Sequence, residues 1–175
     1  MEPTKRFSSK LLVAGLLLVL TCLPAISQKR RYTAATKYVP VMEYDPKRNA
    51  TLDLAAAIKE AHRTHRNVLI EVGGDWCSWC HTLDKFFAAH PELVQLRDKN
   101  FVTLKVNYSD ENQNKEVLSR YPEISGYPHI FFLDSHGKLL ISQDTGVLES
   151  GRSYNLEKFT TVLTNWGPKG KPVQP

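Results

Sequence analysis

Residues 68–81 of the chain read VLIEVGGDWCSWCH, an apolar run that meets two glycines and then two cysteines. The run over residues 68–72 is broken only by Glu71, a pattern typical of a strand buried on both faces of a sheet. A helix is predicted to begin near Cys77, so that Cys80 lies one turn further along it. The segment therefore predicts a buried strand followed directly by a helix whose first turn carries both cysteines.

Predicted strands and helices alternate along the rest of the chain. Strands are predicted at residues 38–42, 68–72, 101–107, 129–133 and 139–142, and helices at residues 49–65, 77–90, 111–121 and 156–166. Pro40 places the first strand at a sheet edge, and a turn at residues 135–138 joins the last two strands as a hairpin. The order β-α-β-α-β-α-β-β-α predicts an α/β domain, with parallel strands covered by helices and an antiparallel C-terminal hairpin.

Two cysteines three residues apart at the start of a helix form a redox pair for a physical reason. A thiolate attacks a disulfide, and the unpaired amides and the dipole of a helix N-terminus stabilise negative charge. We therefore predict that Cys77 is the exposed nucleophile. Cys80, on the helix face shared with Leu83 and Phe87, is predicted to resolve the mixed disulfide.

The first 27 residues are typical of a secretory signal peptide. Three basic residues precede an apolar run at residues 11–20, and small residues precede a predicted cleavage site after Ser27. A permanent membrane span is disfavoured because the run is short. A lipoprotein anchor at Cys22 is disfavoured because Thr21 stands where a small residue is expected. Export to the periplasm or secretion is therefore predicted.

Cleavage would leave a mature protein with two cysteines, too few for a structural disulfide framework. We divide the chain into a signal peptide (1–27), a polar linker (28–37), a folded domain (38–166) and a flexible tail (167–175). The net charge of +5 forms no basic stripe, which argues against nucleic-acid binding. We expect a monomer without a stable membrane span.

The domain resembles the thioredoxin superfamily over about residues 38–166. The resemblance depends on the Trp-Cys-x-x-Cys signature after a buried strand and on a Tyr127-Pro128 step before another strand. The chain is similar to small exported thioredoxin-like proteins with a Trp-Cys-x-Trp-Cys motif. This implies a thioredoxin fold, with a central mixed sheet, a C-terminal β-hairpin and flanking helices. It also implies a thiol–disulfide oxidoreductase, reductase or isomerase rather than oxidase, which acts on protein thiols and disulfides and uses a separate redox partner.

The resemblance assigns roles to residues outside the cysteine pair. Pro128 is implied to follow a cis peptide bond beside the cysteines and to shape the substrate groove. A buried acid is implied six residues before Cys77, at Glu71, with Lys105 beside it. We predict that Glu71 helps to move the proton of Cys80, with a core acid that only pairs with Lys105 as the alternative. The dipeptide between the cysteines differs from the Gly-Pro of thioredoxin itself and leaves the direction of electron flow open.

Three aromatic residues, Trp76, Trp79 and Tyr127, are predicted to face the substrate, with ordinary packing as the alternative for the two tryptophans. His81 is predicted to face solvent rather than to tune the nucleophile.

Metal and haem carriers are the alternative class of function. The two cysteines could form half a zinc site, and with His81 they complete Cys-x-x-Cys-His, the attachment motif for c-type haem. A copper carrier could use Cys77, Cys80 and a histidine such as His129. The second cysteine pair that zinc needs and the usual copper spacing are missing from the sequence, so we assign no metal ion or cofactor.

Overall fold

A computed structural model describes residues 38–168. The predicted signal peptide, the linker and the tail beyond Pro168 lie outside the described residues and stay predictions. Within residues 38–168, no helix is both long enough and apolar enough to cross a membrane.

The described chain contains five α-helices and six strands. The helices are α1 (Ala50–Thr64), α2 (Ser78–Ala89), α3 (Pro91–Asn100), α4 (Lys115–Leu118) and α5 (Leu156–Asn165). The main strands are β1 (Asn67–Gly73), β2 (Phe101–Asn107), β3 (His129–Leu133) and β4 (Leu139–Asp144). A 3₁₀ turn (Thr145–Leu148) and the short strands β5 (Glu149–Ser150) and β6 (Ser153–Tyr154) precede α5.

The four main strands form one mixed sheet in the order β2-β1-β3-β4. Strand β1 pairs parallel with β2 and antiparallel with β3, and β3 pairs antiparallel with β4. The predicted α/β class, mixed sheet and C-terminal hairpin are therefore confirmed.

Strand β1 lies inside the sheet, and every one of its residues is buried. Because successive side chains of a strand point to opposite faces, Val68, Ile70 and Val72 pack with α1. Leu69 packs on the other face, among side chains of α2, α3 and α5. Glu71 shares this second face, which places an acid behind the helix that carries the cysteines.

Side-chain caps begin the two flanking helices α1 and α5. The amide oxygen of Asn49 accepts a hydrogen bond from the backbone N–H of Leu52 at 3.1 Å. Asn155 does the same for Lys158 at 3.0 Å. Such caps satisfy an N–H that has no partner inside the helix, so both helices begin where the sequence pattern predicts.

The sequence pattern did not predict α3. We expected the chain to leave its helix before Pro91 and to enter β2 directly. Pro91 instead begins a new helix, because proline at the first helical position loses no hydrogen bond there. Glu92 in the first turn and Arg97 in the last turn suit the helix dipole.

The predicted helix at residues 111–121 is reduced to the single turn α4. Asn112 and Asn114 donate side-chain hydrogen bonds to the carbonyls of Pro46 and Asn107 at 2.8 and 2.7 Å. Side chains that bind the backbone in this way compete with helix formation. Asn114 also adopts a left-handed conformation with φ of 46°.

The predicted strand at residues 38–42 is reduced to a single bridge, in which Val41 pairs with Leu104 of β2. The carbonyl of Val41 accepts a hydrogen bond from the backbone N–H of Lys105 at 2.9 Å. Pro40 has no N–H to extend this pairing, which accounts for the short contact.

Candidate active site

The two cysteines form a disulfide at the start of α2. Strand β1 ends at Gly73, and four residues later Cys77 occupies the N-cap position of the helix. Its Sγ accepts a hydrogen bond from the backbone N–H of Cys80 at 3.1 Å. The Cα atoms of the pair are 5.3 Å apart. The sulfur of Cys77 therefore lies at the electropositive N-terminus of α2, just after the end of the buried strand.

The two cysteines differ only slightly in exposure. Cys77 is 4% exposed, and Cys80 is completely buried. In the disulfide form, the predicted nucleophile is thus nearly covered, although it is the more accessible of the two.

Glu71 lies behind the disulfide and is buried. In the parallel register it stands opposite Lys105, whose Nζ lies 3.6 Å from Glu71 Oε1. The same Nζ donates a hydrogen bond to Asp84 Oδ1 at 2.5 Å, and the Asp84 side chain is half exposed. Burial raises the pKa of Glu71, while Lys105 and a tyrosine hydroxyl oppose this rise. The acid and the lysine that the resemblance implies therefore do form a buried pair.

Tyr44 completes this group, and sequence reasoning missed it. Its hydroxyl donates to Glu71 Oε1 at 2.5 Å, and its side chain forms one buried cluster with the two cysteines. It lies 27 residues before Glu71, and no local pattern marks it. Asp84 was also missed, although its position four residues after Cys80 puts both on one helix face.

The Tyr127–Pro128 peptide bond is cis, as the resemblance implies. Pro128 directly precedes β3, and its carbonyl accepts a hydrogen bond from Thr145 Oγ1 at 2.5 Å. Tyr127 packs against the cluster formed by Tyr44 and the two cysteines.

An exposed aromatic surface borders the disulfide. Trp76 is 57% exposed, and its Nε1 donates to the carbonyl of Tyr108 at 2.7 Å. Tyr127 lies between them, edge-on to Trp76 with centroids 5.5 Å apart and stacked on Tyr108 at 5.1 Å. Burial and the neighbouring Tyr108 raise the pKa of Tyr127 to about 12, so it is neutral at ordinary pH. Tyr108 was not predicted as a site residue.

A surface cavity of about 300 Å³ adjoins this aromatic surface and is lined by Trp76, Tyr108 and residues 109–111. Trp79 is half buried, packs against the cluster of Tyr44 and the two cysteines, and lies edge-on to Tyr154 with centroids 5.4 Å apart. The structure therefore brings Trp76 and Tyr127 into direct contact, while Trp79 borders the cysteines with Tyr154 as its aromatic neighbour.

The two histidines considered as site residues differ in exposure. His81 is exposed, and its Nε2 lies 2.8 Å from the carbonyl of Asp75, so the predicted solvent-facing position is confirmed. His129 is buried at the start of β3, where its Nε2 lies 2.7 Å from Ser142 Oγ. In the part of the chain that the structure describes, no three His, Cys, Asp or Glu residues are grouped as ligands for a metal ion.

A disulfide at the start of the helix after a central strand, with a cis-proline before the antiparallel neighbour of that strand, defines a thioredoxin-fold disulfide domain. Residues 49–135 match the family model described as thioredoxin-like. The chain belongs to the thioredoxin superfamily.

A solved structure and two curated proteins illustrate this membership. A structure described as a disulphide isomerase from Xylella fastidiosa Temecula1 aligns with a TM-score of 0.61 and 24% identity, over 73% of this chain and 98% of that one. This likeness shows the fold. The thiol:disulfide interchange protein DsbD of Actinobacillus pleuropneumoniae is 29% identical over 91 residues, which are 51% of this chain and 15% of that protein. The disulfide bond reductase DsbH of Chlamydia pneumoniae is 25% identical over 95 residues, which are 49% of this chain and 57% of that protein. The chain thus spans only part of the length of these two relatives.

Proposed function

We propose that this protein is an exported thiol–disulfide oxidoreductase that acts through Cys77 and Cys80. The observation that carries the proposal is the Cys77–Cys80 disulfide at the N-terminus of α2. A disulfide that closes so short a loop does little to constrain the unfolded chain. The helix start stabilises the thiolate that the reaction needs.

The first step of reduction is attack by Cys77. The N-cap sulfur faces the backbone N–H of Cys80, and this contact favours a negatively charged sulfur in the reduced protein. The Cys77 thiolate forms a bond to one sulfur of a substrate disulfide, and the other substrate sulfur leaves as a thiolate. A mixed disulfide between Cys77 and the substrate results.

The second step is resolution by Cys80. Its thiol must lose a proton before its sulfur can attack Cys77 and release the second substrate thiolate. We assign Glu71 as the acceptor of this proton, because it is buried behind the pair and burial raises its proton affinity. The net result is a reduced substrate and an oxidised Cys77–Cys80 pair.

The aromatic surface is the proposed substrate-binding side. Trp76 presents exposed apolar area, and the half-buried Tyr127 lies edge-on to it and packs against the cysteine cluster. Large aromatic side chains of this kind often dominate binding energy at protein contacts. Pro128 would hold the adjoining backbone in the groove, while Trp79 has a packing role.

We favour a reductase or isomerase that acts on protein thiols and disulfides and exchanges electrons with a separate redox partner. The relative from Chlamydia pneumoniae that is named a disulfide bond reductase supports this direction. The predicted signal peptide supports a site of action in the periplasm or outside the cell.

Variants of the two cysteines test the proposal. Cys80→Ser should accumulate mixed disulfides with substrate proteins, and Cys77→Ser should trap none, because only Cys77 begins the exchange. Equal trapping by both variants would contradict the assignment. The reduction potential of the pair tests the direction: we expect a value near about −270 mV for a reductase or near about −180 mV for an isomerase, and a value near about −120 mV, as in a strong oxidant, would contradict the proposal.

A further inference from the structure

Tyr44 lies at the centre of the proposed site but outside the thioredoxin-like match at residues 49–135. It is buried in the segment before α1. It forms one buried cluster with Cys77 and Cys80. Its hydroxyl donates to Glu71 Oε1 at 2.5 Å. One side chain thus contacts the redox pair and the buried acid.

Gly73 allows the tyrosine hydroxyl and the resolving sulfur to approach each other. A β-carbon on Gly73 would collide with Cys80 Sγ and would lie only 3.0 Å from Tyr44 Oη. The sulfur and the hydroxyl oxygen therefore converge on the same small volume above the Gly73 backbone. The hydroxyl also donates to Glu71, so its oxygen has the carboxylate on one side and, on the other, the volume that it shares with the Cys80 sulfur.

Lys105 holds this arrangement from a neighbouring strand. Its Nζ lies 4.6 Å from the centroid of the Tyr44 ring and 3.6 Å from Glu71 Oε1. A cation over an aromatic face is attracted to the ring. The lysine therefore fixes the tyrosine and the carboxylate relative to each other, while Asp84 anchors the lysine.

The charged groups around Glu71 act in opposite directions. Burial, with a smaller contribution from Asp84, raises the pKa of Glu71, and Lys105, the Tyr44 hydroxyl and Arg97 oppose it. Burial and the neighbouring Glu71 raise the pKa of Tyr44 well above its ordinary value. The tyrosine therefore keeps its proton at neutral pH and is a donor toward the carboxylate.

We infer that the Tyr44 hydroxyl relays the proton of Cys80 to Glu71 during resolution of the mixed disulfide. The inference rests on the proposed function. The Cys80 thiol gives its proton to Tyr44 Oη, and Tyr44 gives its own proton to Glu71 Oε1. Cys80 becomes a thiolate, Glu71 becomes a neutral acid, and Tyr44 is unchanged. The thiolate then forms the bond to Cys77 and displaces the substrate thiolate, so electrons and protons balance.

The variant Tyr44→Phe tests the relay, because it keeps the ring and removes the hydroxyl. Attack by Cys77 and resolution by Cys80 are followed separately by stopped flow with a small disulfide. We expect attack to change less than twofold and resolution to slow at least tenfold. The pH midpoint of resolution should also rise, because the Glu71 carboxylate loses a hydrogen bond.

Tyr121→Phe is the matched control. Tyr121 is half buried and stacks on Phe131, 4.8 Å away, on the α1 side of the sheet. It should leave both steps unchanged. An unchanged resolution rate in Tyr44→Phe, or equal slowing in Tyr121→Phe, would overturn the relay. The proposed function would still stand in that case, because it depends on disulfide exchange by the wild-type protein.

A proton inventory on the wild-type protein tests the relay without a variant. The resolution rate is measured in mixtures of H₂O and D₂O. Two protons move in the relay, so the rate should depend on the deuterium fraction along a curve. A straight line would indicate a single proton in transfer and would refute the role of Tyr44.

Discussion

Replacement of Glu71 by glutamine removes a buried charge and nearly keeps the shape of the side chain. The amide oxygen can still accept the hydroxyl of Tyr44. Lys105 keeps Asp84 as a partner at 2.5 Å, so its ammonium is not left without an anion. Glu71→Gln is therefore a clean test of what the buried carboxylate costs the folded state.

Two opposing contributions set the expected change in stability at neutral pH. Replacing a buried ion pair by neutral residues of similar volume is often neutral or stabilises a protein by about 1–4 kcal/mol, whereas removing one partner costs about 3–5 kcal/mol when the other charge is left unpaired. Asp84 keeps Lys105 paired in the variant, so the desolvation of the Glu71 carboxylate is relieved without that cost. Weakening the hydrogen bond from Tyr44, which is charge-assisted in the wild type, costs about 1 kcal/mol. We therefore expect Glu71→Gln to raise the free energy of unfolding by up to about 3 kcal/mol.

The change should depend on pH in one direction. Because the pKa of Glu71 is raised in the folded protein, its contribution to stability is fully present below the unfolded pKa of about 4.3. That contribution is lost as the pH rises through the folded pKa. The advantage of the glutamine variant should thus grow from pH 4 toward pH 8, by about 1.4 kcal/mol for each tenfold weakening of the acid.

Urea unfolding of the disulfide form, followed by circular dichroism between pH 4 and pH 8, measures this difference. Glu60→Gln is a control of opposite sign, because the Arg63 hydrogen bond lowers the pKa of Glu60. It should cost less than about 1 kcal/mol at neutral pH, and its cost should fade as the pH falls. The reasoning about Glu71 is refuted if the variant is less stable than the wild type at neutral pH, or if its advantage shrinks as the pH rises.

Three further predictions concern the geometry of the site and the fold. Gly73→Ala should lower stability by about 1–3 kcal/mol and slow exchange, since its β-carbon would collide with the buried cysteine sulfur; Gly126→Ala, whose β-carbon meets nothing within 4 Å, should do neither in the same urea and exchange assays. Trp76→Ala should lower kcat/KM at least tenfold for a protein disulfide but change it little for a small disulfide, whereas Leu52→Ala, at a position 68% exposed, should affect neither substrate. Asn155→Ala should lower the free energy of unfolding by about 1 kcal/mol through loss of the α5 cap, with an unchanged exchange rate. A loss of activity in this variant would contradict the view that the α5 cap has no part in the active site.

Patterns along the chain were enough to predict most of the sheet. Residues 101–107 and 129–133 are strands with the predicted bounds. In the first segment Val102, Leu104 and Val106 alternate with other residues, and in the second a short apolar run follows His129. Both patterns are typical of strands. The helix prediction for residues 111–121 was wrong because hydrogen bonds of asparagine side chains, rather than apolar periodicity, determine the backbone conformation there.

The sequence by itself determined the redox pair of this protein. Cys77 and Cys80 stand three residues apart after a buried strand, so strand, turn and helix start are all local features. Local periodicity and capping act over a few residues and can therefore be seen without the fold.

Only the tertiary structure decided what surrounds that pair. Tyr44 meets Glu71 across 27 residues of chain, and Tyr108 joins Trp76 across 32. Contacts of this kind depend on how the sheet and the segment before α1 pack, and no pattern along the chain records them. The physical reason is that a buried acid forms hydrogen bonds with whichever donors the packing brings within reach. Only the folded structure determines which donors those are.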